Sequence, residues 1–190
     1  MTSVAITALG HGCAGIRAVE TVEEARAVAA SCGALLGGER GAVRIEGFDL
    51  DNSPLNYTTG RVAGRRLVMT TSNGTRALAA ARPADRVLLA GLNNASAVAS
   101  ALSGAEKVCI LCAGTHDAFS LEDALAAGAI LDRLPGASLD DMALASLRLY
   151  RQARADIKAA LEDTLHYGRL MRLGFEGDLD YCLQEDTQGC

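Results

Sequence analysis

The sequence predicts an α/β fold: a mostly parallel sheet with helices on both faces. Three observations carry that prediction. Short apolar runs such as Ile16-Arg17-Ala18-Val19, Leu67-Val68-Met69 and Val108 to Cys112 recur along the chain as buried strands would. Between them lie stretches rich in strong helix formers, for example Arg76 to Ala81. Small polar residues and glycine mark the junctions. Strands separated by helices need crossover connections, so they pair in parallel and are covered on both faces.

Each element has its own justification. Val4 to Leu9 reads as a helix that Gly10 and Gly12 terminate. After the strand Ile16 to Val19, Thr21-Val22-Glu23-Glu24 opens a helix with a capping box. Ala34-Leu35-Leu36 is a short strand, followed by a long polar loop through Thr59. Leu67 to Thr70 (strand), Asn73 to Ala81 (helix), Val87 to Ala90 (strand), Ala95 to Leu102 (helix) and Val108 to Cys112 (strand) follow in turn. Ser120 to Leu134 is a helix with Ser120 and Asp123 as its box. Leu139 to Leu161 reads as one long amphipathic helix with Met142, Ala145, Leu149 and Ala153 near one face. A shorter helix, Leu165 to Leu173, precedes a polar tail. The 190 residues suit a single α/β domain over 1–190 with a sizeable core.

Composition excludes several functions. A net charge of −5 with no Lys/Arg cluster argues against a nucleic-acid surface. Anionic small molecules remain admissible, because a local pocket can be positive. No apolar run reaches the ~18 residues of a membrane span, and the N-terminus lacks a basic region with an apolar core behind it, so a cytoplasmic location is expected. The six cysteines (13, 32, 109, 112, 182 and 190) sit among apolar residues and read as reduced core thiols. Cys109 and Cys112 form C-x-x-C, but in a strand positions i and i+3 face opposite sides. Gly10-His11-Gly12-Cys13-Ala14-Gly15 matches G-x-G-x-x-G literally, yet a strand follows at once where a dinucleotide site needs a helix.

Chemistry is expected at the carboxyl ends of the strands. Thr71-Ser72-Asn73-Gly74-Thr75 joins a buried strand to a helix start, where outward N–H groups and the helix dipole favour an anion. The plainer alternative is that Ser72 or Asn73 merely caps the helix. Gly37-Gly38-Glu39-Arg40-Gly41 and Glu46 to Pro54 form a long loop dense in carboxylates and amide. Ala113 to Asp123 again follows a strand and carries Asp117, Glu122 and His116, while His11 and His166 read as structural. Hard oxygen donors in two such loops suit Mg²⁺, and no covalent-nucleophile motif competes.

The stretches "LLGGERGAVRIEGFDLDNSPLNYT", "LVMTTSNGTRAL", "LNNASAVA", "CAGTHDAFSLEDALAAG" and "YCLQED" together resemble the 2-phosphosulfolactate phosphatase family, in order from about residue 16 to 186. The resemblance implies a distinct α/β fold and a Mg²⁺-dependent acid phosphatase. Its substrate would be a small phosphorylated 2-hydroxy acid, 2-phosphosulfolactate giving sulfolactate and phosphate, a step of coenzyme M biosynthesis in methanogens. By motif, Glu39 and Arg40 are the family's Glu-Arg, Gly47 to Pro54 its Gly-Phe-Asp-x-x-Asn-Ser-Pro, and Asn73-Gly74-Thr75 its Asn-Gly-Thr. Asn94 opens an Asn-Ala element, and Gly114-Thr115 with Phe119 to Asp123 completes the set. The implied catalytic residues are Glu39, Arg40, Asp49 and Asn52. Thr71, Ser72, Asn73, Gly74, Thr75, Asn94, Thr115 and Ser120 would bind substrate, and Asp49, Glu122 and Asp123 the metal.

Two departures from the family pattern are visible. Asp51 stands where the family commonly has glycine before Asn-Ser-Pro. Members also usually carry a strand and an Asp-x-x-Arg-Ala segment before the helix that opens here at Thr2. Without that strand a sheet edge would be bare, inviting pairing with a second copy as a homodimer. A degenerate relative that binds the anion without turnover is the rival expectation, and an α/β subunit whose hydroxyl turns are only caps is the blandest.

Overall fold

The computed structural model describes residues 1–115 and 118–189, so His116, Asp117 and Cys190 lie outside the described residues. The chain groups into two compact units, Met1–Val87 and Leu88–Cys190.

The first unit is built on four strands: β1 (Gly15–Ala18), β2 (Leu35–Arg40), β3 (Val43–Arg44) and β4 (Arg66–Thr70), in the order β1-β4-β2-β3. The first three in that order run parallel, and β3 folds back antiparallel on β2. Its helices are α1 (Thr2–Gly10), α2 (Val22–Cys32), α3 (Thr59–Val62) and α4 (Gly74–Ala80). Alternation along β4 sorts the two faces. Leu67 and Met69 pack with Val4 and Ala8 of α1 and with Tyr57. Val68 packs on the other side with Ala25 and Ala29 of α2 and with Phe48. Helices therefore cover both faces, as the alternating pattern predicts. The capping box of α2 is half realised as expected: the Thr21 hydroxyl accepts from Glu24 N at 3.1 Å.

Strand β2 runs further than the sequence suggests. Gly37 and Gly38 read as a loop, yet they pair with Met69 and Thr70, while Leu50 pairs with Gly37 on the other side. The glycines allow close approach here. A Cβ on Gly37 would lie 2.4 Å from the Tyr57 hydroxyl, and one on Gly38 would lie 2.0 Å from the Thr70 carbonyl oxygen. The stretch after Arg40 is likewise ordered. A short 3₁₀ turn, Pro54–Asn56, leads to the buried Tyr57, whose hydroxyl donates to Asp51 O at 2.6 Å.

The second unit is helical. After a 3₁₀ turn, Leu92–Asn94, come α5 (Ala95–Ala101), α6 (Leu121–Asp132), α7 (Asp141–Ala153), α8 (Ile157–Leu161), α9 (Leu165–Arg172) and α10 (Glu176–Cys182). The strands expected at 87–90 and 108–112 do not form among the described residues. Both stretches lack ladder partners, and Val108 and Leu111 are 42% and 51% exposed. An apolar run becomes a strand only where a neighbour takes its N–H and C=O groups.

The core of this unit is α6 against α7, with Leu125, Ala129, Ile130 and Tyr150 in contact. A Cβ on Gly128 would lie 2.2 Å from Ser146 O, so the two helices touch backbone to backbone. The helix expected over 139–161 is two, because Asp156 caps α8 by accepting from Ala159 N at 2.9 Å. Its buried face also differs. Met142 is 68% exposed and Ala145 and Leu149 are exposed, whereas Leu147 and Tyr150 are buried against α6. The tail read as polar contains α10. Among the described cysteines expected in the core only Cys13 is buried; Cys32, Cys109 and Cys112 are exposed and Cys182 is half-buried. Among the described residues no helix is long and apolar enough to cross a membrane.

Gly38→Ala is expected to destabilise the first unit by about 3 kcal/mol or more, above the usual range for an overpacked methyl because the clash is with backbone. Urea unfolding of the variant beside the parent checks this.

Candidate active site

In the first unit, the carboxyl ends of β2 and β4 carry the predicted groups. Glu39 points to the face of Leu35 and Gly37, and Arg40 to the opposite face. The Glu39 carboxylate, 8% exposed, accepts from Ser72 N at 2.8 Å, Ala42 N at 2.8 Å and Ser72 Oγ at 3.3 Å. Burial alone would raise its pKa. The hydrogen bonds from Ser72 and Ala42, aided by the positive chain terminus, outweigh this and hold it below the ordinary carboxylate value. Glu39 is therefore ionised at neutral pH.

Arg40 donates to Glu39 O at 2.8 Å, to Glu20 O at 3.1 Å and to Thr70 Oγ1 at 2.8 Å. Three of its five N–H groups are so engaged, which fixes the guanidinium and leaves two for a ligand. Thr70 was not singled out in the sequence; its place as the last residue of a buried strand is the signal that could have found it. The turn from Thr71 to Thr75 answers the capping question. Asn73 stands at the N-cap of α4 without a side-chain cap bond, and Ser72 turns to Glu39. The Thr75 hydroxyl donates to Thr71 O at 2.8 Å. Thr71 is 4% exposed, and its Oγ1 has no hydrogen-bond partner; neither has the buried Oδ1 of Asn52. A buried orphan of this kind costs about 1–3 kcal/mol, which a ligand would recover.

Asp49 is not brought to this end. It is exposed, and its carboxylate accepts from Leu36 N at 2.8 Å. Three residues of strand, ~10 Å, separate Leu36 from Glu39. Asp51, at the position where the family commonly has glycine, accepts from Ser53 N at 3.0 Å and, through both carboxylate oxygens, from Asn56 Nδ2 at 3.0 and 2.9 Å, and so shapes the turn.

In the second unit, Ser120 caps α6, accepting from Asp123 N at 3.4 Å. Asp123 does not close the box; its Oδ2 accepts from Gly114 N at 2.7 Å. Thr115 and Ala118 exchange backbone hydrogen bonds at 3.0 and 3.1 Å. Glu122 lies 3.6 Å from His166 Nε2 on α9. Desolvation raises its pKa, only partly offset by His166, and Asp123 adds to the rise. A carboxylate so raised lowers stability at neutral pH, which is unusual for a purely structural acid.

Asn94 is committed to its own backbone: Oδ1 accepts from Gly91 N and Nδ2 donates to Leu89 O. Its neighbour Asn93 donates to Tyr181 O and Gln184 O, tying down the late segment, and its Oδ1 is also without a partner. Glu185 and Asp186 of that segment clamp Arg133 at 2.5 and 2.8 Å.

The metal residues read from the sequence are divided between the two units. Asp49 belongs to the first unit and Glu122 and Asp123 to the second. Adjacent residues of a helix do not face one another, and Asp49 and Asp123 are bound to backbone N–H groups. Among the described residues no three His, Cys, Asp or Glu side chains converge as metal ligands.

Comparison with known proteins decides the family. Residues 1–190 match the family model for 2-phosphosulpholactate phosphatase. The chain belongs to this family. Curated relatives named "Probable 2-phosphosulfolactate phosphatase" agree. That of Caldicellulosiruptor saccharolyticus is 43% identical over 200 residues, covering 100% of this chain and 83% of its own. The Symbiobacterium thermophilum protein is 45% identical over 194 residues, covering 98% and 83%. The Thermotoga maritima protein is 40% identical over 185 residues, covering 97% and 81%. As a member of a phosphatase family, the chain is a phosphoric monoester hydrolase. The family motifs divide by role in the fold: Glu-Arg and Asn-Gly-Thr meet at one sheet end, whereas Asn94 and the late Glu185-Asp186 pair hold helices together.

Because its folded-state pKa is depressed, Glu39 contributes stability that is full above the unfolded carboxylate value and lost as pH falls through the folded value. Glu39→Gln should be about 2 kcal/mol less stable at neutral pH, the scale of hydrogen bonds to a charged acceptor. It should also lose that acid-side step. Urea melts across an acidic pH series measure both.

Proposed function

We propose that this chain hydrolyses the phosphomonoester of a small 2-hydroxy acid, with 2-phosphosulfolactate, the compound in its relatives' names, as substrate, and that it needs Mg²⁺. The uncapped turn at Asn73-Gly74-Thr75 is the observation that carries this reading. A cap-type residue that does not cap, beside a hydroxyl-rich turn held by a buried carboxylate, is arranged for something other than its own helix.

In this reading the phosphate rests against the 71–75 turn, held by backbone N–H groups and by Asn73 and Thr75. Arg40, fixed by Glu20, Glu39 and Thr70, offers its two remaining N–H groups to oxygens that gain charge as the ester P–O bond breaks. Water attacks phosphorus, the bridging oxygen leaves with the hydroxy acid and is protonated, and inorganic phosphate is released. Glu39, ionised, keeps the turn rigid and accepts hydrogen bonds. Mg²⁺, when bound, would neutralise phosphoryl oxygens.

The direct test is phosphate release from a panel of phosphorylated 2-hydroxy acids with and without Mg²⁺. Binding of the panel without release would favour the non-catalytic rival. Asn73→Ala separates capping from ligand binding. Since no cap bond is made, stability should fall by less than the ~1 kcal/mol of a lost cap, while kcat/KM falls ~10²-fold. A variant that turns over like the parent would exclude Asn73 from the site.

A further inference from the structure

The amino end of the first unit's sheet holds a groove of about 330 Å³. Strands β1 and β4 start there side by side, with Gly15 opposite Arg66 and Arg17 opposite Val68. Val68 packs against α2, and partners in a parallel ladder point to the same face. Gly15, Arg17 and Arg66 therefore share that face. The groove runs between them and Val28, Ser31 and Cys32 near the end of α2. A Cβ built on Gly15 meets nothing within 4 Å, so a hollow lies directly beside Arg66 and two residues before Arg17.

The charge of this groove is one-sided. Among the described residues neither the Arg17 nor the Arg66 guanidinium makes a hydrogen bond or ion pair, and no acidic side chain lines the groove. A helix C-terminus attracts cations, which would be the plain structural role for both. The last turn of α2 is closed by its own groups instead. Val28 O accepts from Ser31 Oγ at 2.8 Å and from Cys32 Sγ at 3.2 Å, and Ala29 O accepts from Ala34 N at 3.2 Å. Two like charges on neighbouring strands repel, and an anion held between them turns that repulsion into attraction. Guanidinium forks match phosphate oxygens in pairs, and two of them balance the roughly two negative charges of a phosphate group at neutral pH. The volume reaches the low end of small-molecule pockets, so a phosphate with a small body also has room. We infer that Gly15, Arg17 and Arg66 form a second anion site, for a phosphate group either free or carried on a small organic molecule. The site lies at the opposite end of β4 from the 71–75 turn, roughly 13 Å of strand away. The phosphate held there is not the one being hydrolysed.

The test is titration of the full chain with sodium phosphate, followed through the backbone amide signals of Gly15, Arg17 and Cys32 in NMR spectra. Sodium chloride at matched ionic strength is the control. These signals should move saturably with phosphate and stay in place with chloride. Both arginines are exposed, so Arg17→Gln/Arg66→Gln should melt like the parent while binding phosphate at least ~10-fold more weakly. Gly15→Leu, which fills the hollow and keeps both arginines, should weaken binding likewise. Asn73→Ala should leave it intact, which separates this site from phosphate held at the 71–75 turn. Glycerol phosphate distinguishes the two sources. Tighter binding than phosphate assigns the site to a phosphate ester, and equal or weaker binding assigns it to free phosphate. The inference is overturned if neither probe moves the signals saturably, if chloride moves them equally, if the double variant titrates like the parent, or if Asn73→Ala abolishes the movement.

Discussion

The buried carboxylate of Glu39 is the interaction on which the first unit's site depends. It ties together three pieces of backbone: the end of β2, the tight turn at Ala42 and the turn after β4. A carboxylate stays ionised in such a place only if donors replace the water it has lost. Ser72 and Ala42 supply them, and the turn that ends β4 is fixed as a consequence. The next residue acts in the same way on the other face. Arg40 reaches back to Glu20 and Thr70, so the ends of β1, β2 and β4 are held from both sides of the sheet. A two-residue alternation therefore turns one Glu-Arg pair into a double clamp.

That clamp explains why the polar residues of the turn are not used up by the helix they precede. Asn73 occupies the N-cap of α4 without bonding it, Ser72 is turned to Glu39, and Thr71 is buried without a partner. Each would be a defect in a structural turn. Together, beside a guanidinium fixed by Glu20, Glu39 and Thr70, they leave polar groups that the helix does not consume.

In the second unit the same kind of economy serves packing. Arg133 gathers Glu185, Asp186, Ser96 and Tyr150, which fastens the late acidic segment to α5, α6 and α7. The Asn93 amide donates to Tyr181 O, Gln184 O and Thr187 Oγ1, and Asn94 bonds the backbone at Gly91 and Leu89. The family motifs are thus of two kinds here, and only the hydrogen-bond partners of each side chain separate the residues that tie strand ends together from those that hold helices together.

The class of fold, the family and the first unit's longer strands and helices were legible in the order of residues, whereas β3 and the 3₁₀ turn after it read as loop. Period-2 and period-3.6 patterns and the Thr21 and Ser120 caps are local, and local signals survive in any context. Glu39, Arg40 and the 71–75 turn were legible for the same reason: they follow strands. The tertiary structure decided whatever depends on a distant partner. Val87 to Ala90 and Val108 to Cys112 are apolar enough for strands, but among the described residues no neighbour completes their ladders. Gly37 and Gly38 are loop-like in composition yet belong to β2, because Tyr57 and Thr70 approach too closely for any side chain. The buried face of α7 was set by Gly128 of α6 and not by α7's own periodicity. The same distinction separates Asp49 from Glu39. As sequence the two acids are equivalent; in the fold one bonds Leu36 N at the near end of β2, and the other is buried at the far end where the turn closes.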